Sequence, residues 1–325
     1  MTLQMDAPIS HWALDEHDAL PFTAETVATL AEQSDLRIPT SVLGALTAAI
    51  RAGKHVILTG PPGTGKSTLA QIVAEAGRRA LMCTGYLSAT ATSDWGVADT
   101  IGTSIPSTRG PVFRAGVVTE AIESGRWLLI DEFNRADMDR AFAELFSVLA
   151  GQSVVLPHRR TELAPPLSLV PFGRDVPEQT EAICIPRPWR IIATMNSTDR
   201  GLLFTLSRAL LRRFAFVHVG SPDDGTFREL VEGPGEMVAD LLPLRELQDI
   251  GPAVFLDASD YATIRRLDGV SRSQVLLEAF TAYVMPQLDE PDEATLGRLL
   301  EILDAVLDEP ERTAARQLLS SGDSG

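Results

Sequence analysis

A glycine-rich segment, GPPGTGKST at residues 60–68, combines residue types that can bind phosphate. Gly60, Gly63 and Gly65 can adopt backbone torsions that are costly for other residues, so successive N–H groups can point at one anion. The Lys66 ammonium can neutralise the β- and γ-phosphates of a nucleotide, and the Ser67 hydroxyl can hold Mg²⁺. The segment therefore predicts a phosphate-binding loop.

The residues around this segment favour the phosphate-binding interpretation over an ordinary Gly-Pro loop. The apolar run at 56–58 predicts a strand before it, and the apolar spacing at 69–73 predicts a helix after it, which is the setting this chemistry requires. The predicted nucleotide-binding residues of the loop are Gly60, Pro61, Pro62, Gly63, Thr64, Gly65, Lys66, Ser67 and Thr68.

A second apolar run, WLLIDE at 127–132, ends in two adjacent acids. At the carboxyl end of a buried strand, Asp131 can hold the Mg²⁺ that Ser67 binds, through an outer-shell water. Glu132 beside it can activate an attacking water. A strand followed by a polar turn is the alternative. Asp131 follows Lys66 by 65 residues, which is the separation that a nucleotide-hydrolysing core needs, so we assign Glu132 as catalytic.

Polar residues near two later strands complete the predicted site. Asn196 ends the run IIATMN and can hydrogen-bond the γ-phosphate or the attacking water, because an amide both donates and accepts. Arg212 and Arg213 carry planar guanidinium groups, which can stabilise charge on a transferring phosphoryl group from a neighbouring subunit. A solvated arginine pair is the alternative, and the preceding motifs favour a catalytic role.

The elements that must position these residues predict an α/β fold. Short apolar runs alternate with helical stretches, which is typical of a doubly wound parallel sheet with the phosphate loop after its first strand. Beyond residue 220 only helical patterns remain, and they predict a small all-helical domain. The strand candidates are residues 55–59, 80–83, 127–131, 189–195 and 215–219, and the helix candidates include 24–33, 38–51, 140–149, 227–241, 260–267, 272–284 and 294–307.

Composition shifts along the chain predict its division into segments. An acidic leader, partly disordered, precedes a large nucleotide-binding domain that carries two long excursions, and a helical lid and a disordered tail follow. The excursion at 154–188 holds seven prolines and fits a surface hairpin better than a core element. The boundaries are 1–37 for the leader, 38–220 for the large domain with insertions near 88–116 and 154–188, 221–319 for the lid and 320–325 for the tail.

Charge and cysteine content exclude several classes of protein. The net charge of -16 opposes strong direct binding of nucleic acid. No apolar run is long enough to span a membrane, and the acidic start lacks the pattern of a secretory signal. Cys83 and Cys184 both lie in apolar strand-like segments, which predicts buried thiols in a reducing cytoplasm. The five histidines show no ligand spacing, so we assign no zinc site.

Taken together, GPPGTGKST, WLLIDEFNRAD, IIATMNSTDRG and ALLRRFAF resemble the AAA+ ATPases, and among them the branch of the MoxR ATPases, the McrB restriction motors and the dynein-related modules. The resemblance implies a P-loop AAA+ core of five parallel strands followed by a helical lid. It implies Walker A at Lys66 and Ser67, Walker B at Asp131 and Glu132, and sensor 1 at Asn196. Arg213 resembles the arginine finger, with Arg212 beside it.

Further residues enter only through this resemblance. Ser271-Arg272 resembles sensor 2, an arginine that contacts the nucleotide from the lid. Asn134 and Arg135 of DEFNRAD resemble residues that face an adjoining protomer, and a helix cap is the alternative for Asn134. The insertions match in position those that lie near the central pore in this branch, with plain surface loops as the alternative.

The resemblance implies a ring, a hexamer by the precedent of this branch, that hydrolyses ATP with Mg²⁺ and remodels a protein partner such as a VWA-domain protein. A McrB-like motor that serves a nuclease in DNA restriction or phage defence is the second hypothesis, because MNSTDRG is closer to the McrB form. That form leaves GTP open, although the chain lacks an Asn-Lys-x-Asp motif and ATP remains the default. A nucleotide-gated scaffold with little turnover is the third hypothesis, and a small-molecule P-loop kinase is weaker still.

Overall fold

The computed structural model of the protein describes two compact units. The N-terminal unit consists of Met1–Thr59 and Lys66–His218, and the C-terminal unit consists of Gly60–Gly65 and Val219–Gly325. Our expectations for 1–19, 197–201 and 322–325 lie outside the described residues. The residues described are 20–34, 36–108, 110–196, 211–222, 225–229, 236–289 and 291–321.

The strands follow the order in which the sequence alternates between apolar runs and helices. Numbered along the chain, they are β1 (His55–Gly60), β2 (Tyr86–Thr90), β3 (Gly102–Ile105), β4 (Val112–Ala115), β5 (Trp127–Asp131), β6 (Val154–Arg159), β7 (Pro166–Pro171), β8 (Glu181–Ile185), β9 (Ile191–Asn196) and β10 (Phe214–His218). We label the α-helices α1 (Ala24–Gln33), α2 (Thr40–Arg51), α3 (Lys66–Arg79), α4 (Val97–Thr100), α5 (Val117–Glu123), α6 (Met138–Ala141), α7 (Ala143–Leu149), α8 (Pro252–Leu267), α9 (Arg272–Ala279), α10 (Glu293–Val306) and α11 (Glu309–Ser321).

A five-stranded sheet in the order β10-β1-β9-β5-β2 forms the centre of the N-terminal unit. The pairs β1–β10, β2–β5 and β5–β9 are parallel. The central strands β1, β5 and β9 are almost fully buried, which explains why they read as continuous apolar runs in the sequence. The predicted α/β fold with a parallel sheet and a helical C-terminal region is confirmed.

One strand prediction is wrong. Residues 80–83 follow α3 as a turn in which Leu81 has a φ of 58°, and the strand beside β5 is instead β2. Strand β2 lies at an edge of the sheet, where Tyr86, Ser88 and Thr90 are exposed. Because one side of an edge strand is solvated, YLSAT lacks the apolar run that a buried strand shows.

Helix α3 connects the phosphate loop to the sheet through one apolar face. Leu69, Ile72 and Val73 are buried on that face, as the sequence spacing predicted. At Gly77 an added β-carbon would lie 2.6 Å from the Trp127 ring of β5. The helix therefore packs closely on the strand that ends in the acid pair.

The first two helices are close to the expectation, and a later one differs. Helix α1 has the predicted bounds, its Leu30 is buried, and α2 begins at Thr40 rather than 38. The single helix predicted at 140–149 is two short helices, α6 and α7, that meet at Phe142. Phe142 is fully buried against Phe133, which places a core aromatic side chain at the break.

Both long excursions contain their own sheets. Strands β3 and β4 form an antiparallel hairpin within 88–116, and the three-stranded sheet β6-β7-β8 occupies most of 154–188. This second sheet is more than the surface hairpin expected, because Leu167, Leu169 and Ile183 are buried on it. Pro166 and Pro171 stand at the first and last positions of β7, and Pro157 lies in β6 where the pairing with β7 shifts register, positions at which a strand tolerates proline.

The C-terminal unit has its own apolar core. Phe227, Phe255 and Phe280 are fully buried there with aliphatic side chains from α8 to α11. The helix predicted at 260–267 begins earlier, at Pro252, and the one predicted at 272–284 changes from α9 to a π-helix at Phe280–Val284. Part of the helix predicted at 227–241 falls at 230–235, outside the described residues.

The residues around 320 and one of the two cysteines differ from the expectation. The end of the lid forms α11, which includes residues 320 and 321 that we assigned to the tail. Cys83 is a buried thiol whose pKa burial raises to about 11, but Cys184 on β8 is exposed, so the expectation of two buried thiols is wrong for Cys184. None of the described helices combines the length and apolar composition needed to span a bilayer.

Candidate active site

The loop Gly60–Gly65 joins β1 to α3 and has the torsions that its glycines predicted. Gly60, Gly63 and Gly65 all have positive φ, at 153°, 75° and 81°. The buried Thr64 hydroxyl donates to the Pro61 carbonyl oxygen at 3.0 Å, which closes the turn. Helix α3 begins directly after the loop at Lys66, so its N-terminal N–H groups follow the glycines.

A residue that the sequence reasoning missed lies against this loop within the C-terminal unit. An added β-carbon at Gly251 would lie 2.4 Å from the Gly63 carbonyl carbon and 2.6 Å from the Pro62 carbonyl oxygen. Gly251 itself has a φ of −69°, which any residue adopts, so close approach is the reason for glycine there. The Gly-Pro pair at 251–252 marks a helix start in the sequence, but nothing in it indicates the neighbouring loop.

We expect Gly251→Ala to weaken nucleotide binding by roughly tenfold or more. The new β-carbon meets backbone atoms of the loop, and overpacking of this kind costs about 1–3 kcal/mol, where about 1.4 kcal/mol is tenfold in affinity. Titration with a fluorescent ATP analogue measures the effect. The matched control is Gly297→Ala in the same unit, since an added β-carbon there meets no atom within 4 Å. Equal affinities for the two variants would contradict the expectation.

Ser67 and Asp131 come together at the carboxyl end of the sheet. The Ser67 hydroxyl lies 3.0 Å from Oδ1 and 3.1 Å from Oδ2 of Asp131. A cavity of about 110 Å³ adjoins them, with polar side chains from α3, β2 and β9 on its walls. A hydroxyl and a carboxylate are oxygen donors of the kind that Mg²⁺ prefers, and Mg²⁺ keeps several waters that a polar cavity can accommodate. The residues therefore fit a magnesium ion.

Glu132 has an unusual backbone conformation. Its φ of 54° and ψ of 43° are left-handed, and a residue other than glycine adopts this region at a cost of about 1–2 kcal/mol. Three contacts hold it there. The Thr194 hydroxyl accepts the Glu132 N–H at 3.3 Å, the Glu132 carbonyl accepts the Arg135 N–H at 2.8 Å, and the carboxylate pairs with Arg135 at 2.8 Å. Strain of this kind is common at catalytic positions.

Thr194 is the second residue that the sequence reasoning missed. It is 4% exposed on β9, and its hydroxyl hydrogen-bonds Asp131 as well as the Glu132 N–H. Strand β9 pairs with β5, with Ala193 opposite Ile130, and that register brings Thr194 to the acids. Its position two residues before Asn196 was visible in the sequence, but the register that gives it a role was not.

Asn196 lies at the carboxyl ends of the strands, and the arginine pair lies at their amino ends. Asn196 is the last residue of β9, whereas Arg212 and Arg213 directly precede β10, whose Phe214 pairs with His55 at the start of β1. The Arg212 carbonyl accepts a hydrogen bond from Lys54 Nζ at 3.4 Å, also before β1. Strand β10 has five residues. Roughly 16 Å of strand, at about 3.3 Å per residue, therefore lies between its amino and carboxyl ends.

The remaining residues taken from the resemblance have mixed positions. Arg272 begins α9 and pairs with Asp240 at 2.7 Å on the surface of the C-terminal unit. Exposed pairs of this kind contribute little to stability. Asn134 is buried, which contradicts a position facing another protomer, and the cap of α6 is Asp137. Arg135 is half exposed and contacts Glu132 of its own chain.

The packing at the start of β1 holds β1 and β9 in place. His55 Nδ1 accepts the Ile191 N–H at 2.8 Å. Burial, with the nearby charges of Arg190 and Lys54, lowers the pKa of His55 to about 3, so the ring is neutral and can accept this bond. The strand that carries Thr194 and Asn196 is thereby joined to the strand that leads into the phosphate loop.

A parallel sheet with a glycine-rich loop after β1 and an acid pair after β5 defines a P-loop NTPase. Residues 55–214 match the model of the AAA domain of the dynein-related subfamily. Through these residues the chain belongs to the AAA+ ATPases of that branch, as its motifs implied.

Similar sequences occur in a midasin and in a restriction enzyme subunit. Midasin of Giardia intestinalis is 28% identical over 189 residues, which cover 57% of this chain and 3% of midasin. The type IV methyl-directed restriction enzyme EcoKMcrB subunit of Escherichia coli (strain K12) is 26% identical over 199 residues, which cover 57% of this chain and 39% of that subunit. The chain thus spans less than half the length of either relative.

A crystal structure of a protein from Cytophaga hutchinsonii aligns with 92% of this chain and 93% of its own chain at 16% identity. Its TM-score is 0.41, which is too low to support an argument from the likeness.

Proposed function

We propose that this protein is a ring-forming AAA+ NTPase that couples ATP hydrolysis to the remodelling of a protein partner. The observation that carries the proposal is that the length of the strands separates the arginine pair, Arg212 and Arg213, from the acid pair, Asp131 and Glu132. Acids and arginines of one chain cannot serve the same phosphate across that distance. A second copy that presents its arginines to the first copy's nucleotide completes the site, which supports a homo-oligomer and, by resemblance, a hexamer.

In the proposed site, Lys66 and the loop glycines bind the β- and γ-phosphates, and Ser67 and Asp131 hold Mg²⁺. The bound Mg²⁺ neutralises charge on the phosphates. Glu132 accepts a proton from the attacking water, and Asn196 orients the γ-phosphate or that water. Arg213 or Arg212 of the next copy stabilises the charge that develops on the transferred phosphoryl group. Arg272 contacts the nucleotide from the helical unit.

The partner is proposed from family resemblance. A VWA-domain protein is the partner we favour for a MoxR-like chaperone or activator. The loops on either side of β7 carry exposed apolar side chains that a polypeptide can contact, Leu163 at 97% exposure and Phe172 at 60%. Exposed apolar side chains of this size favour a protein partner over nucleic acid, as does the net charge of -16.

A second candidate function is a motor subunit of a DNA-restriction or phage-defence complex that serves a separately encoded nuclease. The similarity to the EcoKMcrB subunit favours it, and it brings GTP into consideration beside ATP. A scaffold with negligible turnover is less well supported, because a scaffold has no use for the acid at Glu132, which is held in a costly conformation.

Turnover and assembly measured on the same preparation test the proposal. We expect Mg²⁺-dependent release of phosphate from ATP, which EDTA abolishes, and a shift from small species to rings in sedimentation when a slowly hydrolysed ATP analogue is added. Parallel assays with GTP identify the preferred base, and stimulation by DNA of the isolated protein would favour the motor function. Turnover by a species that stays monomeric with every nucleotide would contradict the composite site.

A further inference from the structure

One hydroxyl group connects both acids of the site to a second strand. Thr194 Oγ1 donates a hydrogen bond to Asp131 Oδ1 and accepts the N–H of Glu132 at 3.3 Å. A hydroxyl has one proton to donate and lone pairs to accept, so both bonds can form at once. Thr194 is 4% exposed and lies on the wall of the cavity beside Ser67 and Asp131.

The bond to Asp131 sets the direction of its carboxylate. Oδ1 of Asp131 receives hydrogen bonds from both Thr194 and Ser67. Two donors from different elements, β9 and α3, hold the carboxylate against the Ser67 hydroxyl, where the proposed Mg²⁺ binds. Without the Thr194 donor, the Ser67 hydroxyl would still donate to this carboxylate.

The bond to Glu132 acts on its backbone. Glu132 has left-handed torsions, and its other two contacts, both to Arg135, lie within the same short turn. Thr194 therefore joins Glu132 itself to another strand of the sheet by a hydrogen bond, while Phe133 of the same turn packs on Phe214 of β10. Because the direction of the side chain follows from the backbone torsions, this tie helps to decide where the Glu132 carboxylate points.

We propose that Thr194 is a positioning residue for hydrolysis, whose hydroxyl aligns Asp131 for the metal and Glu132 for the attacking water. The inference rests on the proposed hydrolytic function and adds a residue to it. Neighbouring groups that orient a metal ligand typically change metal affinity or activity by about 10–100-fold when they are removed. In this role Thr194 acts through the two acids, which it contacts directly.

Two substitutions separate this role from plain packing. Thr194→Val keeps the size and branching of the side chain but loses the hydroxyl, and Thr194→Ser keeps the hydroxyl. The matched control is Thr47→Val on α2, because Thr47 is also 4% exposed and its hydroxyl bonds a backbone carbonyl, that of Leu43, at 2.8 Å. All variants are made in the full chain, and their melting temperatures are compared first.

We expect Thr194→Val to lower kcat for ATP about 10–100-fold, with Thr194→Ser within about threefold of the wild type and Thr47→Val unchanged. A second readout is independent of turnover. Addition of Mg²⁺ should tighten binding of a fluorescent, slowly hydrolysed ATP analogue less in Thr194→Val than in the wild type, while affinities in EDTA stay equal. A merely structural role would change the melting temperature and leave this Mg²⁺ response intact.

Several results would overturn the inference. Thr194→Val with wild-type kcat and Mg²⁺ response would do so, as would a Thr194→Ser variant as defective as Thr194→Val. A Thr194→Val protein that loses activity only in proportion to the fall in its melting temperature also contradicts it. Absence of turnover in the wild type itself would instead refute the proposed function, so the two failures are distinguishable.

Discussion

The Glu132→Gln variant is expected to lose about 10²–10⁴-fold in NTP turnover, the usual contribution of a general base. Glutamine has the shape of glutamate and an oxygen that accepts hydrogen bonds, but it cannot take a proton from water. Nucleotide binding should be retained, because the loop, Lys66 and Ser67 are unchanged. The variant should therefore hold ATP and assemble without hydrolysing it.

Phosphate release and binding of a fluorescent ATP analogue, measured together, check this expectation. The control variant is Glu120→Gln, whose carboxylate lies 3.7 Å from Arg126 on an exposed surface. Loss of so exposed an ion pair has little effect on stability, and this variant should hydrolyse ATP at the wild-type rate. Unaltered hydrolysis by Glu132→Gln would exclude Glu132 as the base.

The double variant Arg212→Ala/Arg213→Ala is expected to lose about 10³–10⁵-fold in turnover, the range reported for arginine fingers, while it still binds nucleotide. The two arginines lie at the amino ends of the strands, where β1 begins, away from the acids of their own chain. The single variants then identify the finger. Arg212 is exposed, whereas Arg213 is half buried, so the melting temperature of Arg213→Ala must accompany its rate.

Mixtures of variants distinguish action between copies from action within one chain. When Glu132→Gln is combined with the double arginine variant, some interfaces contain an intact Glu132 from one copy and intact arginines from the other, so partial turnover should return. Arg298→Ala, which removes an exposed arginine paired with Glu246, serves as the control and should be active alone. Mixed assemblies that form but remain inactive would refute the composite site.

Much of the fold was predictable because its central strands are buried on both faces. Strands β1, β5 and β9 are apolar nearly throughout, and their carboxyl ends carry the loop, the acids and Asn196. Strand β2 was not predictable in the same way. It is a half-exposed edge strand, and the apolar residues just before it form a turn instead.

The inserted sheets were harder to infer for a related reason. Pairing between β6, β7 and β8 depends on contacts between strands. Of the seven prolines that suggested irregular structure, Pro166 and Pro171 stand at the ends of β7 and Pro157 lies within β6. The expectation for Cys184 failed because ICI alternates across a strand, so that Ile183 and Ile185 are buried and the cysteine between them is exposed.

By itself, the sequence determined the chemistry that the site can perform, because residue types at fixed spacing specify a phosphate loop and an acid pair. The tertiary structure decided what depends on register and direction. The pairing of β5 with β9 brings Thr194 to both acids. The parallel pairing of β1 with β10 puts Arg212 and Arg213 at the amino ends of the strands, opposite the acids. Both follow from which strands are neighbours, a property that local residue patterns do not encode.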